Sequence, residues 1–172
     1  MPILGESVAS MREEIVRDLV DAENASDYDA ALLNFAHPRY EYVATDEVHD
    51  GHDEVMAHWE ELDRAFPDQL VEIVELHHAE DAVLIEAVAR GTHSGPFRGL
   101  PPTGRRYELP FLGIFVFEDD GLICERVYFD STTLLRQLGV ARDPLSLTGR
   151  LGTLAGHPLT IGRGLIRRLT GR

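Results

Sequence analysis

The stretch Ala82–Glu118 reads AVLIEAVARGT, HSGPFRGLPPTG and RRYELPFLGIFVFE, and it decides the fold class. Its two outer segments are rich in β-branched and aromatic residues, which predicts long strands over 82–92 and 105–118. Between Gly91 and Leu109 stand four glycines and three prolines. Such residues fix a backbone where a side chain or a free φ would not fit. The sequence therefore predicts two strands joined by a rigid loop.

Two more strands extend this pair into a sheet. QLVEIVEL at 69–76 and GLICERVYFD at 121–130 have the same β-rich composition. HHAED and EDDG, which separate the strands, are typical of hairpin turns. Because short connections join strands that follow one another along the chain, we expect the sheet to be antiparallel.

Helical patterns come mostly before the sheet. Apolar residues recur every three or four positions, which predicts helices over 8–22, 26–37, 53–66 and 131–138. Ser10 and Glu13 have the spacing of a capping box at the start of the first helix. RYEYVAT at 39–45 predicts a brief strand. Helices segregated from an antiparallel sheet indicate an α+β layer architecture.

Charge is distributed unevenly along the 172 residues. The chain has 30 acidic residues, 16 arginines and no lysine, and its net charge is −14. Residues 1–140 carry 29 of the acids and residues 141–172 carry only one, beside six arginines. The acidic part repels phosphate backbones, so we expect no nucleic-acid partner. Abundant carboxylates with arginine as the sole cation suit a high-salt or high-GC organism, and an ordinary acidic surface that confers solubility is the alternative.

The composition therefore divides the chain into a domain at 1–140 and a basic extension at 141–172, rich in Gly, Leu and Arg. We expect the extension to pack on the acidic domain or on a partner subunit, with membrane contact a less favoured alternative. No membrane span or signal peptide is predicted, which favours the cytoplasm. The single cysteine, Cys124, excludes an internal disulfide and a multi-thiolate zinc site.

Three segments resemble a known family: GHDEVMAHWEELDRAFPD at 51–68, RGTHSGPFRGLPPTGRR at 90–106 and FVFEDDGLICERVYFD at 115–130. Over Val8–Gly139 the chain resembles the SnoaL-like polyketide cyclases, also called the ester cyclase family, of the nuclear transport factor 2-like superfamily. The resemblance implies a cone-shaped domain in which a strongly curved sheet wraps around the helices and leaves an apolar pocket. It also implies a homodimer and chemistry without a cofactor.

Related enzymes use a carboxylate or a histidine in an apolar pocket to remove a proton next to a carbonyl group. Strand alternation makes Tyr128, Asp130 and His93 plausible pocket residues, and they are our candidate catalytic groups. Two structural alternatives stand beside this interpretation. Asp130 directly precedes a helix and could support its start, and His93 could hydrogen-bond to its own loop. We expect the ligand to contact Trp59, Tyr107, Phe111 and Arg126.

One departure from the family bears on function. The acid–base aspartate of the cyclases falls on or near Gly113 here, so their mechanism does not transfer unchanged. An acid at Asp130 or Glu108 could replace it. Two alternatives to a cyclase or isomerase acting on a small hydrophobic carbonyl compound therefore stay open: a non-catalytic ligand-binding or dimerisation module, and an enzyme similar to the epoxide hydrolases. VHDGHD at 48–53 is an acidic turn rather than a metal site, and we expect no metal.

Overall fold

The computed structural model describes residues 3–143 and positions 146, 149, 152 and 156, with side chains from residue 8 onward. The basic extension predicted at 141–172 therefore lies almost entirely outside the described residues. Among the described residues, no helix is both long enough and apolar enough to cross a membrane.

Residues 3–143 form four helices and six strands, and all of them except one short strand follow the predicted order. The helices are α1 (Ile3–Asn24), α2 (Tyr28–Leu32), α3 (His52–Ala65) and α4 (Ser131–Gln137). The strands are β1 (Arg39–Tyr42), β2 (Glu47–Asp50), β3 (Leu70–His78), β4 (Ala82–Thr92), β5 (Arg106–Glu118) and β6 (Gly121–Phe129). They form one sheet in the order β2-β1-β6-β5-β4-β3. The α+β class is confirmed, and the four long strands lie within a few residues of their predicted bounds.

The differences are local. Helix α1 begins at Ile3, so Ser10 and Glu13 lie inside the helix and do not cap it. Strand β2 was not predicted, because its sequence EVHD has a single β-branched residue among three charged or polar ones. Strand β1 pairs in parallel with β6, whereas every other pair of neighbouring strands is antiparallel.

The main core lies between α1, α3 and the sheet. Val16, Leu19 and Val20 are buried on one face of α1, as helical periodicity requires. They belong to one apolar cluster with residues of α3 and of the central strands, among them Val55, Trp59, Ile85 and Phe115. A second cluster, which includes Phe66, Tyr107, Leu109 and Leu138, closes the end of the sheet where α4 packs on β5.

The rigid loop between β4 and β5 is anchored on the C-terminal end of α3. The backbone N–H groups of Ser94 and Gly95 both donate to the carbonyl oxygen of Ala65, at 2.9 and 3.1 Å. A Cβ atom at Gly95 would lie 2.0 Å from the carbonyl oxygen of Arg64. Only glycine permits this approach, so here the loop composition has a steric cause.

Candidate active site

A cavity of about 340 Å³ lies between the helices and the sheet. Most of its walls are aromatic or aliphatic, including Val20, Tyr28, Tyr40, Tyr42, Trp59, Phe66, Ile85, Tyr107, Phe111, Val127 and Phe129. A mainly apolar cavity of this size with a few polar groups is typical of a small-molecule site. Its chemistry therefore depends on which polar side chains enter it.

The first of these side chains is Glu125, in the middle of β6. Side chains alternate along a strand, and Glu125 faces the cavity together with Val127 and Phe129. Only 3% of Glu125 is exposed. Its Oε2 atom is buried and has no hydrogen-bond partner among the described residues. A carboxyl group thus stands in the apolar wall with an unused oxygen.

The second is Glu23, in the last turn of α1. It follows Val16, Leu19 and Val20 at helical spacing, so it continues the buried face of the helix and reaches the same cavity. Its Oε1 atom is also buried and lacks a hydrogen-bond partner among the described residues. Two carboxyl groups, one from the helix layer and one from the sheet, therefore share the cavity.

Burial changes the protonation of both groups. Desolvation raises the pKa of Glu23 from 4.5 to about 8. Desolvation also raises the pKa of Glu125 well above its usual range, the negative charge of Glu23 adds to this shift, and hydrogen bonding with Tyr40 opposes it. No ion pair among the described residues involves either carboxyl group. The pair therefore retains protons at neutral pH.

A chain of buried polar side chains extends from Glu125 toward α3. The Tyr40 and Tyr42 rings pack edge-on with centroids 5.1 Å apart, and burial raises the pKa of both. The Tyr42 hydroxyl lies 3.0 Å from Nε2 of His58. Desolvation lowers the pKa of His58 to about 3, and the nearby charges of His49 and Arg98 add to the shift. His58 is therefore neutral at physiological pH.

Glu47, His49 and His58 bring ligand atoms within 4.8 Å of one another, the spacing of a possible metal site. The rings of His49 and His58, however, are stacked with centroids 4.1 Å apart and planes at 16°. Imidazole lone pairs lie in the ring plane, so stacked rings do not direct them at a common ion. Glu47 is also paired with Arg98. This arrangement is an ion-pair and stacking cluster and does not fit a metal centre.

Three of the predicted ligand-contacting residues line the cavity, namely Trp59, Tyr107 and Phe111. Arg126, the fourth residue predicted to contact the ligand, does not line the cavity. Its Nε atom donates to Glu41 at 2.8 Å on the opposite face of β6. Since Glu125, Val127 and Phe129 face the cavity, the residues between them face away.

The same alternation corrects the placement of Tyr128 and Asp130. Tyr128 is 40% exposed on the outer side of β6. Asp130 is the N-cap of α4: its Oδ1 accepts from the backbone N–H of Thr132 at 2.9 Å and its Oδ2 from the hydroxyl of Thr133 at 2.6 Å. These hydrogen bonds hold the pKa of Asp130 below its usual value. Alternation defines two faces but does not say which one meets the core.

His93 is fully buried outside the cavity wall. Its Nδ1 atom lies 3.1 Å from the hydroxyl oxygen of Thr103, and its ring packs against Phe66 with centroids 5.3 Å apart. Both contacts tie the two ends of the β4–β5 loop to each other and to α3. The structure thus does not bring His93 together with Tyr128 and Asp130.

Gly113, where the sequence comparison places the family's aspartate, has little room for a side chain. It faces inward from β5, and a Cβ atom there would lie 3.0 Å from Cγ1 of Ile85. In the β5–β6 ladder Gly113 is opposite Val127 and Phe115 is opposite Glu125, so Glu125 enters the cavity from the neighbouring strand. Glu108, the other acid that the sequence suggested, is exposed and binds Arg90 at 2.9 Å.

The class of protein follows from this architecture: helices packed on one face of a curved six-stranded sheet around an apolar cavity. An NTF2-like protein of unknown function from Burkholderia pseudomallei superposes with a TM-score of 0.64 at 18% identity, covering 74% of this chain and 97% of that one. A phenazine biosynthesis-related protein from Pseudomonas aeruginosa gives a TM-score of 0.69 at 19% identity, with coverage of 83% and 90%. The NTF2-like fold implied by the sequence is confirmed.

A match to a family model identifies the family of the chain. The model of the SnoaL-like polyketide cyclases matches residues 13–138, so the chain belongs to this family. IdmH from Streptomyces antibioticus is similar at 27% identity, with a TM-score of 0.64 and coverage of 75% of this chain and 99% of that one. No curated protein sequence matches the chain significantly.

Proposed function

We propose that this protein is a cofactor-free cyclase or isomerase that acts on a small hydrophobic carbonyl compound, with Glu23 and Glu125 as its acid–base pair. The observation that carries the proposal is the presence of both carboxyl groups, without a cationic partner among the described residues, in one apolar cavity. Strongly shifted carboxyl groups in a cleft are characteristic of catalytic sites. Family membership supports the same class of reaction.

The two carboxyl groups have different roles because their burial differs. Glu23 is the less buried residue of the two, so we assign it as the base that removes the proton next to the substrate carbonyl. Glu125 is almost fully buried and stays protonated, so it donates to the carbonyl oxygen as negative charge develops there. Tyr40 lines the same cavity beside this donor.

The enolate then has two outcomes. In an isomerisation, Glu23 returns the proton to a different carbon atom. In a cyclisation, the enolate carbon attacks a second carbonyl carbon of the same molecule, and the oxygen of that carbonyl takes the proton of Glu125. The pair then holds the same number of protons as before, with one moved from Glu125 to Glu23, and it resets by proton exchange.

Two alternatives from the sequence are less well supported. A module that only binds apolar ligands has no need for two buried carboxyl groups, since each costs free energy to desolvate. An epoxide hydrolase of the related type needs two carboxylates bridged by an arginine. Among the described residues, Arg98 is the only arginine that lines the cavity, and it pairs with Glu47.

Proton removal can be tested without the natural substrate. Deuterium incorporation next to the carbonyl of a cyclic ketone, 2-tetralone, is followed by NMR in D₂O. We expect wild-type protein to accelerate exchange, and Glu23→Gln to reduce the acceleration by roughly 10²- to 10⁴-fold, the usual contribution of a general base. Glu86→Gln is the matched control, because Glu86 is an exposed glutamate on β4. Equal rates for the wild type and both variants would refute the proposal.

A further inference from the structure

We infer that the natural ligand of this cavity carries a basic nitrogen, and that its ammonium group binds to the carboxyl groups of Glu23 and Glu125. The inference rests on the proposed function only in using the same cavity and the same pair. It names a chemical class of ligand that neither the family nor the fold specifies.

Two carboxyl oxygen atoms in the cavity have unused hydrogen-bonding capacity. Oε1 of Glu23 and Oε2 of Glu125 are both buried, and neither has a partner among the described residues. A buried polar atom without a partner costs about 1–3 kcal/mol, and more when the group is charged. A ligand with N–H donors satisfies these oxygens, whereas a purely apolar ligand leaves them unpaired.

The described lining of the cavity has more acidic than basic side chains. The described lining contains three acidic side chains, Glu23, Asp63 and Glu125, and one basic side chain, Arg98. Arg98 is already engaged, since it pairs with Glu47 and its guanidinium lies 5.6 Å from the ring centroid of Tyr42. The described lining therefore offers no free cationic side chain to pair with Glu23 and Glu125 when they ionise, and an ammonium ligand supplies that charge.

Part of the cavity wall is formed by aromatic rings that pack on one another. The Trp59 ring stacks on Tyr28 with centroids 5.7 Å apart and meets Tyr40 edge-on at 6.3 Å. Tyr40 and Glu125 both line the cavity. Rings next to carboxylates stabilise an alkylammonium group through cation–π attraction, while their apolar surface binds its carbon skeleton.

Such a ligand would also prepare the base. An adjacent positive charge lowers the pKa of a carboxyl group, which opposes the effect of desolvation on Glu23 and Glu125. The free protein holds its protons at neutral pH, and the bound ammonium group releases one. At neutral pH, binding of the ligand would thus ionise the base.

Calorimetry with two probes of the same shape tests the inference: cyclohexylmethylammonium and its neutral counterpart cyclohexylmethanol. We expect the ammonium probe to bind at least tenfold more tightly. Its Kd should fall about tenfold per pH unit between about pH 6 and pH 8 for each proton released, while the Kd of the alcohol stays constant. Repeating the titrations in buffers with different ionisation enthalpies counts the released protons directly.

Three variants locate the effect. Glu125→Gln and Glu23→Gln should each remove most of the preference for the ammonium probe, and Glu86→Gln should retain it. Having two carboxyl variants keeps the test valid if one of them does not fold. Equal affinity for the probes, affinity for ammonium that does not depend on pH, or failure of the ammonium probe to bind the wild type overturns the inference.

The outcome is separable from the proposed function. Wild-type protein that exchanges the ketone protons but does not prefer the ammonium probe keeps its acid–base role and takes a neutral ligand. Wild-type protein that prefers the ammonium probe but does not exchange ketone protons is an amine-binding protein.

Discussion

The Nε2 atom of His58 lies 3.0 Å from the hydroxyl oxygen of Tyr42, and both side chains are buried beside the cavity. The Nδ1 atom of His58 is buried without a partner among the described residues. Folding would remove an imidazolium ion at this position from water, and the charges of His49 and Arg98 would oppose it. The folded state requires neutral His58, which makes the stability of the fold sensitive to acid.

The first prediction concerns this sensitivity. The pKa of His58 falls from 6.5 to about 3 on folding, so below about pH 6.5 the unfolded chain binds a proton that the folded protein does not. Wild-type protein should lose on the order of a few kcal/mol of stability from this group as the pH falls from about 6.5 to about 4. Urea denaturation across this range should show a shallower decline for His58→Gln.

His77→Gln is the control, because His77 is exposed on β3. This variant should follow the wild-type decline. If His58→Gln and His77→Gln show the same dependence on pH, His58 is not the group that couples acid to unfolding.

The second prediction concerns the stability of the protein at neutral to mildly alkaline pH. The pKa values of Glu23 and Glu125 are raised on folding, so above about pH 4.5 the unfolded chain has lost protons that the folded protein retains. Stability should fall as the pH rises, by about 1.4 kcal/mol per pH unit for each retained proton. Between about pH 7 and pH 8 His58 no longer contributes, and denaturation in this window isolates the carboxyl groups.

Glu125→Gln should therefore be less sensitive to pH than the wild type in this window and more stable at its alkaline end. The control Glu86→Gln should retain the wild-type slope. A slope that does not change in Glu125→Gln would mean that Glu125 is ionised in the folded protein.

The frame of the fold could be predicted from the sequence because its long elements give strong periodic signals. Strands β4 and β5 are long β-rich runs, and α3 ends where Pro67 follows Phe66. Strand β1 was predicted from the aromatic residues of RYEYVAT, whereas EVHD of β2 gives no such signal, and tertiary packing decides the parallel pairing of β1 with β6. Hairpin rules apply to strands that follow one another along the chain, so they do not predict the pairing of β1 with β6.

The sequence predicted the apolar residues that line the cavity better than it predicted the acidic ones. Trp59, Tyr107 and Phe111 are large apolar side chains on inward faces, and they line it. The sequence did contain signals for the acids. Glu23 comes four residues after Leu19 on the apolar face of α1, and Glu125 ends the DGLICE segment. Local rules treat a carboxylate at such positions as an exposed residue, since its burial depends on a cavity formed by the whole fold.

The third prediction concerns the pH dependence of the proposed reaction. The base must be ionised and the acid protonated, so the rate of ketone exchange should rise through about pH 8 as Glu23 loses its proton. It should decline only at more alkaline pH, when Glu125 ionises. Exchange rates of 2-tetralone measured from pH 6 to 10 test this profile. A rate that is already maximal at pH 6 would exclude Glu23 as the base.

The fourth prediction concerns the loop that joins β4 and β5. Gly95→Ala places a Cβ atom against the backbone of α3, where nothing can move without breaking the two hydrogen bonds to Ala65. We expect a loss of about 1–3 kcal/mol in the free energy of unfolding, the usual cost of overpacking. Gly99→Ala is the comparison, because its Cβ would enter open space and only its positive φ of +79° is strained.

Thermal unfolding of both variants makes the comparison. Gly95→Ala should melt below Gly99→Ala, whose expected cost is about 1 kcal/mol for a left-handed backbone. The reverse order would show that the loop is not held against α3.

The fifth prediction decides between the two roles that the sequence left open for Asp130. As the N-cap of α4, its carboxylate accepts the backbone N–H of Thr132, and serine can make the same hydrogen bond. Asp130→Ala should therefore cost about 1 kcal/mol of stability, and Asp130→Ser should recover most of it. Urea denaturation measures this, and ketone exchange by Asp130→Ser gives the second readout. Serine cannot replace a catalytic carboxylate, so exchange that is lost in a fully stable Asp130→Ser protein would return Asp130 to the reaction.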